Sequence, residues 1–301
     1  MFNKTKSPAP TPQGRADNGS SIPPLPDLLI APVVRAALTE DLGRAGDVTA
    51  QACVPADAEL AASFAVRRGG VVAGLACARL ALAELDPDAR FEAAVADGQV
   101  VAAGTVLATV HGNARAVLAA ERTALNLLGR LCGIATLTRD YVDAVAGTAV
   151  RIADTRKTTP GLRALEKYAV RCGGGLNHRF GLDDAILIKD NHVAACGSVG
   201  EAVRRARAAA GHLMKVEVEV DSLEQLLEAL AEAPDVIMLD NFTLADLREA
   251  VRVTAGRVQL EASGGVTLQT VRAIAETGVD VISVGALTHS VGNLDVGLDA
   301  I

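Results

Sequence analysis

Arg156, Lys157, Arg179 and Lys189 are the cations of this chain whose placement suggests chemistry, and Glu219 and Asp240 are the matching acids. Each follows or ends a short apolar run of the kind that forms a buried strand, at 150–154, 185–189, 215–220 and 236–240, with Arg179 at the end of a weaker run at 175–179. Like charges gathered at one rim repel each other unless a polyanion joins them, so the pattern asks for an anionic guest. Glu219 and Asp240, on successive strands, could hold a magnesium ion bridging to phosphate, accept from sugar hydroxyls, or stabilise positive charge at a sugar carbon. General acid work fits them less well, because the surrounding cations keep both ionised. Glu217 shares the strand face of Glu219 one layer deeper and is expected to buttress Lys189.

Two further strand ends carry glycine. Ser263-Gly264-Gly265 follows the run 258–263, and Val284-Gly285-Ala286 closes the run 281–285. Glycine lets backbone N–H groups approach phosphate oxygens closely where a helix begins, so these loops are candidate phosphate cups.

The elements that must position these groups alternate. Between the six strand runs lie helical stretches at 161–171, 198–210, 222–231, 244–254 and 268–277. Right-handed βα crossovers of this length build a barrel or an open doubly wound sheet. Polar residues at the carboxyl end of nearly every strand favour the barrel, whose loops converge on that face. Ahead of it, residues 27–112 read as α+β, with helices at 32–42 and 75–85 and strands at 61–66 and 106–110, and two helices are expected at 114–131 and 134–146. The fold class is therefore α/β. The expected order is a lead at 1–26, an N-terminal unit at 27–131, a barrel at 132–288 and a C-terminal segment at 289–301 that packs back toward the N-terminal unit.

Composition narrows the classes of function. The lead is rich in Pro, Ser, Thr, Asn and Gly without apolar periodicity, so it cannot repay the entropy of ordering. No apolar run approaches a membrane span and no secretory signal opens the chain, which predicts a cytoplasmic protein with no membrane partner. A net charge of -7, 2% aromatic content and no Trp leave no basic, aromatic surface for nucleic acid. Five scattered cysteines without C-x-x-C spacing argue against disulfides or a zinc site.

From about residue 38 to the C-terminus the chain resembles the quinolinate phosphoribosyltransferase family of type II phosphoribosyltransferases. The motifs that carry the resemblance are EDLG-x-x-GDVT at 40–49, ER-x-x-LN at 121–126, GIATLT at 133–138, DTRKTTPGLR at 154–163, KYAVRCGGGLNHRFGLDDAILIKDNH at 167–192, EVEVDS at 217–222, LDN at 239–241 and SVGALTHS at 283–290. The resemblance implies an N-terminal α/β sandwich followed by an incomplete, seven-stranded parallel α/β barrel. It also implies a homodimer, with higher oligomers open, in which one subunit's sandwich closes the other's barrel. The implied reaction transfers phosphoribosyl from phosphoribosyl pyrophosphate to quinolinate with loss of carbon dioxide, giving nicotinate mononucleotide for NAD biosynthesis. By the same resemblance Arg122 (from the partner subunit), Arg156, Lys157, His178 and Arg179 line the quinolinate site. Lys189, Glu219, Asp240, Ser263, Gly264, Gly265, Val284, Gly285 and Ala286 hold phosphoribosyl pyrophosphate, and Lys157, Lys189, Glu219 and Asp240 are the catalytic set. Mg2+, held by Glu219 and Asp240 directly or through water, is the one implied cofactor, with no organic cofactor. Loss of carbon dioxide from an alkylated pyridine needs no enzyme nucleophile, so Cys172 and Ser263 are not assigned that role. Rival readings are a nicotinate-specific or molybdenum-transport-associated relative, a non-catalytic sensor of phosphoribosyl pyrophosphate, and a barrel lyase using Lys189 as a Schiff base. Thr155-Arg156-Lys157 together with His178-Arg179 favours the dicarboxylate.

Overall fold

In a computed structural model, residues 22–301 are described. The lead expected at 1–26 lies outside them as far as residue 21. Its last residues join the fold, since Ile22 and Leu25 pack on the core and Arg171 donates to the Pro23 carbonyl at 3.3 Å.

The N-terminal part comprises α1 (Asp27–Leu42), α2 (Val48–Cys53), β1 (Glu59–Val66), β2 (Gly70–Val71), α3 (Leu75–Leu85), β3 (Arg90–Ala93), β4 (Val100–Val101) and β5 (Val106–Asn113). Helix α1 starts before the expected Pro32, because an Asp27–Arg79 ion pair at 2.7 Å anchors an earlier turn against α3. The main sheet has the order β12-β1-β5-β3 and is antiparallel, with β12 (Val296–Ala300) as the edge strand on β1. The C-terminal segment thus returns to the N-terminal sheet, pairing Ala300 with Ala62.

Asn113 caps α4 (Ala114–Ala144), its side chain accepting from Arg115 and Ala116 N–H. The two expected helices are one helix of 31 residues. Gly133 does not break it, because its missing side chain serves packing: a Cβ there would come within 2.2 Å of the Gly292 carbonyl. Helix and C-terminal segment therefore touch backbone to backbone.

The remainder is β6 (Arg151–Ala153), α5 (Arg163–Cys172), β7 (Ile186–Ile188), α6 (Asp190–Cys196), α7 (Val199–Ala209), β8 (Val216–Val220), α8 (Leu223–Ala231), β9 (Val236–Asp240), α9 (Leu244–Thr254), β10 (Gln259–Ser263), α10 (Val271–Ala275), β11 (Val281–Ser283) and α11 (Ala286–His289). Its six strands are all parallel, in the order β6-β11-β10-β9-β8-β7. The weak strand expected at 175–179 contributes one parallel bridge, Leu176 to Ala153. A seventh position is thereby marked beside β6, and among the described residues nothing pairs it with β7, so the parallel sheet forms an incomplete barrel. Ser198, Ser222 and Thr243 cap α7, α8 and α9 and fix where each crossover turns into helix.

One apolar core runs through both parts, from Val34 and Phe64 to Ile237 and Ile282. Among the described residues no helix is long and apolar enough to cross a membrane. Cys77, Cys132 and Cys172 are buried free thiols, Cys196 is half-buried and Cys53 exposed.

Candidate active site

At the carboxyl ends of the barrel strands lies a cavity of about 560 Å³. It is lined by Thr155, Arg156, Lys157, His178, Arg179, Lys189, Glu219, Asp240, Asn241, Ser263, Gly264, Gly265 and Ser283, with Leu187 and Met238 as apolar wall. Residues more than 100 positions apart in sequence meet here because parallel strands bring their ends to one face.

The loop after β6 is held from below. Asp154, fully buried, accepts from Lys167 Nζ at 2.5 Å and His178 N–H at 2.8 Å on one oxygen, and from the Asn177 amide at 2.7 Å on the other. Lys167, also buried, donates a further bond to the His178 carbonyl at 2.9 Å. Burial raises the Asp154 carboxyl pKa, and the neighbouring Lys167 charge opposes that rise. Flanking residues of α5 extend the bracing. Glu166 pairs with Arg130 of α4 at 2.8 Å, and Tyr168 donates to Asp97 of the N-terminal part at 2.8 Å. Arg163 donates to Thr158 Oγ1 and the Phe180 carbonyl, joining the loops that carry Arg156 and Arg179.

Within the cavity the guanidinium groups are only partly satisfied. Arg179 donates Nη1 to the Ala185 carbonyl at 3.1 Å, whereas the buried Nε atoms of Arg156 and Arg179 have no partner. Burial, then the charge of Arg156, lowers the Arg179 pKa, and the charges of Glu217 and Asp184 only partly oppose that fall. Lys189 pairs with Glu219, and Asp240 accepts from the Asn241 amide at 2.7 Å. Asn241 adopts φ 57°, and its backbone donates to the Ser263 carbonyl at 3.0 Å. Gly264 has φ 92°, and a Cβ there would lie 2.2 Å from Asn241 Oδ1, so glycine is required by both conformation and space.

Arg156, Lys157, His178, Arg179, Lys189, Glu219, Asp240, Ser263, Gly264 and Gly265 are brought together as a group. Val284, Gly285 and Ala286 stand behind Lys157: Val284 is buried, and a Cβ on Gly285 would lie 3.0 Å from Lys157 Cδ. Arg122 is exposed on α4 and does not line the cavity of its own chain. No helix starts directly after Gly265, since α10 begins only at Val271. Glu217 does not meet Lys189 as expected; its Oε2 lies 3.0 Å from His178 Nε2. The sequence reading gave no role to Asn241, Ser283 or Glu261. Glu261 stands two residues before Ser263, as Glu217 does before Glu219, and that spacing was the available signal.

Fold and site define a class: an incomplete α/β barrel whose mouth sets four basic side chains and two carboxylates around a space for an anionic guest. The model for the quinolinate phosphoribosyl transferase C-terminal domain matches residues 134–299, and that for its N-terminal domain matches residues 47–132. Nicotinate-nucleotide pyrophosphorylase (carboxylating) of Mycobacterium leprae is 53% identical over 271 residues, covering 88% of this chain and 95% of that one. A probable nicotinate-nucleotide pyrophosphorylase (carboxylating) of Bacillus subtilis is 48% identical over 260 residues, covering 86% and 89%. The solved nicotinate-nucleotide pyrophosphorylase of Francisella tularensis superposes with a TM-score of 0.89 at 39% identity, covering 94% of this chain and all of that one. The chain belongs to the quinolinate phosphoribosyl transferase family.

Proposed function

We propose that the chain joins quinolinate to phosphoribosyl pyrophosphate, releasing pyrophosphate and carbon dioxide and forming nicotinate mononucleotide. The observation that carries this reading is the convergence of Arg156, Lys157, Arg179 and Lys189 with Glu219 and Asp240 on one cavity. Two ring carboxylates call for planar, forked donors, which arginine supplies better than lysine. Arg156 and Arg179 both line the cavity and are placed for that task. Arg122, exposed on α4, is assigned to the site of a partner subunit in a homodimer, and His178 to the quinolinate side of the cavity.

The pyridine nitrogen attacks the anomeric carbon as the bond to pyrophosphate breaks, and that electron pair leaves with pyrophosphate. Positive charge develops on the ribose, where Glu219 and Asp240 oppose it, while Lys157 and Lys189 face the departing polyanion. Ser263, Gly264 and Gly265, backed by the 284–286 turn, hold the 5′-phosphate through backbone N–H groups. The alkylated, positive ring nitrogen then accepts the electrons released when the adjacent carboxylate departs as carbon dioxide, and a proton takes its place on the ring.

Glu219 and Asp240, on neighbouring strands, supply the carboxylate oxygens that suit Mg2+, an ion that keeps several waters and shares substrate phosphates. When bound there, Mg2+ would neutralise charge on the leaving pyrophosphate. Purified protein incubated with quinolinate, phosphoribosyl pyrophosphate and Mg2+ should release nicotinate mononucleotide and carbon dioxide in equal amounts, and should stop on chelation. Turnover of nicotinate without quinolinate turnover would refute the dicarboxylate assignment.

A further inference from the structure

Beneath the cavity floor, His178 meets two glutamates that the reaction outlined above does not use. Its Nε2 lies 3.0 Å from Glu217 Oε2 and 3.7 Å from Glu261 Oε1, and its Nδ1 accepts from the Arg179 backbone N–H at 2.8 Å. Both ring nitrogens are thus committed within the protein, which leaves the imidazole no polar atom for a ligand carboxylate. The three groups come from three elements: the loop before β7, β8 and β10. Ser283 of β11 and the Asp154–Lys167 pair complete the charged and polar surroundings. Glu261 and Glu217 are both buried, and one oxygen of each has no hydrogen-bond partner.

An imidazole that accepts at Nδ1 must carry its proton at Nε2. Glu217, at 3.0 Å, takes the bond of that proton, and Glu261, at 3.7 Å, sets a second carboxyl on the same side without a hydrogen bond of its own. We propose that Glu261, together with Glu217, is a positioning residue of the quinolinate site: the pair locks His178 as the Nε2–H tautomer, so that Nδ1 anchors the Arg179 backbone and Arg179, not His178, bonds the ligand. This rests on the cavity being the quinolinate site.

Electrostatics supports the same arrangement. Burial, then the charge of Glu217, pushes the Glu261 carboxyl up to about 7, with His178 and Ser283 opposing. Burial alone lowers the His178 pKa, yet the bond to Glu217 and the charges of Glu261 and Glu217 outweigh it and favour a charged ring. The Arg179 N–H at Nδ1 favours a neutral ring instead. A neutral His178 above a protonated Glu261 holds as many protons as an imidazolium above two carboxylates, and the hydrogen bond at Nδ1 selects the neutral form.

The test combines kinetics with histidine 15N NMR on the full chain. In the parent enzyme the His178 resonances, assigned by their loss in His178→Gln, should report Nε2–H. Glu261→Leu should raise KM for quinolinate about tenfold or more, lower kcat at saturation less than threefold, and leave KM for phosphoribosyl pyrophosphate within threefold. Glu261→Gln, which keeps a polar side chain of the same shape beside Nε2, should rescue most of the loss. Combined with Arg179→Ala, Glu261→Leu should add little, because both changes act through one side chain. An Nδ1–H tautomer in the parent, a folded Glu261→Leu enzyme with parental KM, or a full multiplicative effect in the double variant would each overturn the proposal. The tautomer is read without substrate, so its outcome stands apart from whether quinolinate is turned over at all.

Discussion

Lys167→Met offers a direct test of how the cavity rim is held. The substitution keeps most of the side-chain volume and removes the cation that Asp154 meets in a fully buried setting. Removing one partner of a buried ion pair destabilises by about 3–5 kcal/mol, because the other charge is left without compensation. Asp154 would retain the Asn177 amide and His178 N–H as donors, which favours the lower end, whereas the His178 carbonyl loses its donor, which adds about 1 kcal/mol. At roughly 2–4 °C per kcal/mol for a domain of this size, Tm should fall by about 6–20 °C in calorimetry. Without Lys167 the largest opposition to burial disappears, leaving only the His178 and Asn177 donors, and the Asp154 carboxyl pKa rises further. Asp154→Asn should be comparably destabilising by stranding Lys167. The double variant should be no worse than the poorer single, since no buried charge remains. A Lys167→Met protein within about 1 kcal/mol of the parent, or singles whose losses simply add, would refute the view that this pair braces the His178-Arg179 loop.

Arg156→Ala should lower turnover about 100-fold or more in steady-state assays while Tm stays near the parent's, because two charged contacts of about 1.5–3 kcal/mol each are lost at the ligand only. Mixing Arg122→Ala chains with Lys189→Ala chains should restore about one quarter of parental activity, since half the dimers are hybrids and each hybrid has one intact site; no recovery after verified subunit exchange would exclude the trans arrangement. Gly264→Ala places a methyl 2.2 Å from Asn241 Oδ1 at φ 92°, and strain of about 1–3 kcal/mol should raise KM for phosphoribosyl pyrophosphate roughly tenfold, read against an unchanged KM for quinolinate.

How much of this was legible in the sequence depended on whether the cause was local. All six barrel strands were marked by apolar runs bounded by polar residues, and each observed strand falls inside its run, ending within two residues of the run's limits. Strand β12 was not marked: Val-Gly-Leu-Asp-Ala has no clear alternation, and it is a strand only because β1 offers an edge more than 200 residues earlier. Gly133 falls in the gap between the two expected helices and proved to be a contact, since its reason lies at Gly292. Short helix α6 was hidden by starting directly after β7, with no loop to announce it.

The same division runs through the site. Its rim could be read because several like charges fell at the carboxyl ends of successive parallel strands, and that gathering, not any one of them, asked for an anionic ligand. Its floor could not be read so directly. Glu261 sits in Gln-Leu-Glu-Ala-Ser, where a carboxyl facing the barrel interior is unfavourable until His178, more than 80 residues earlier, is known to lie against it. Lys167 and Asp154 are similarly opaque: a lysine in a helix reads as a solvated charge, and only the fold shows it buried against an equally buried acid. Both buried clusters end on His178 and Arg179. The strained or charge-dense interior is therefore not a second function in the barrel but the foundation of the ligand-binding rim, and the residues hardest to read from sequence are those that act on the ligand through another side chain.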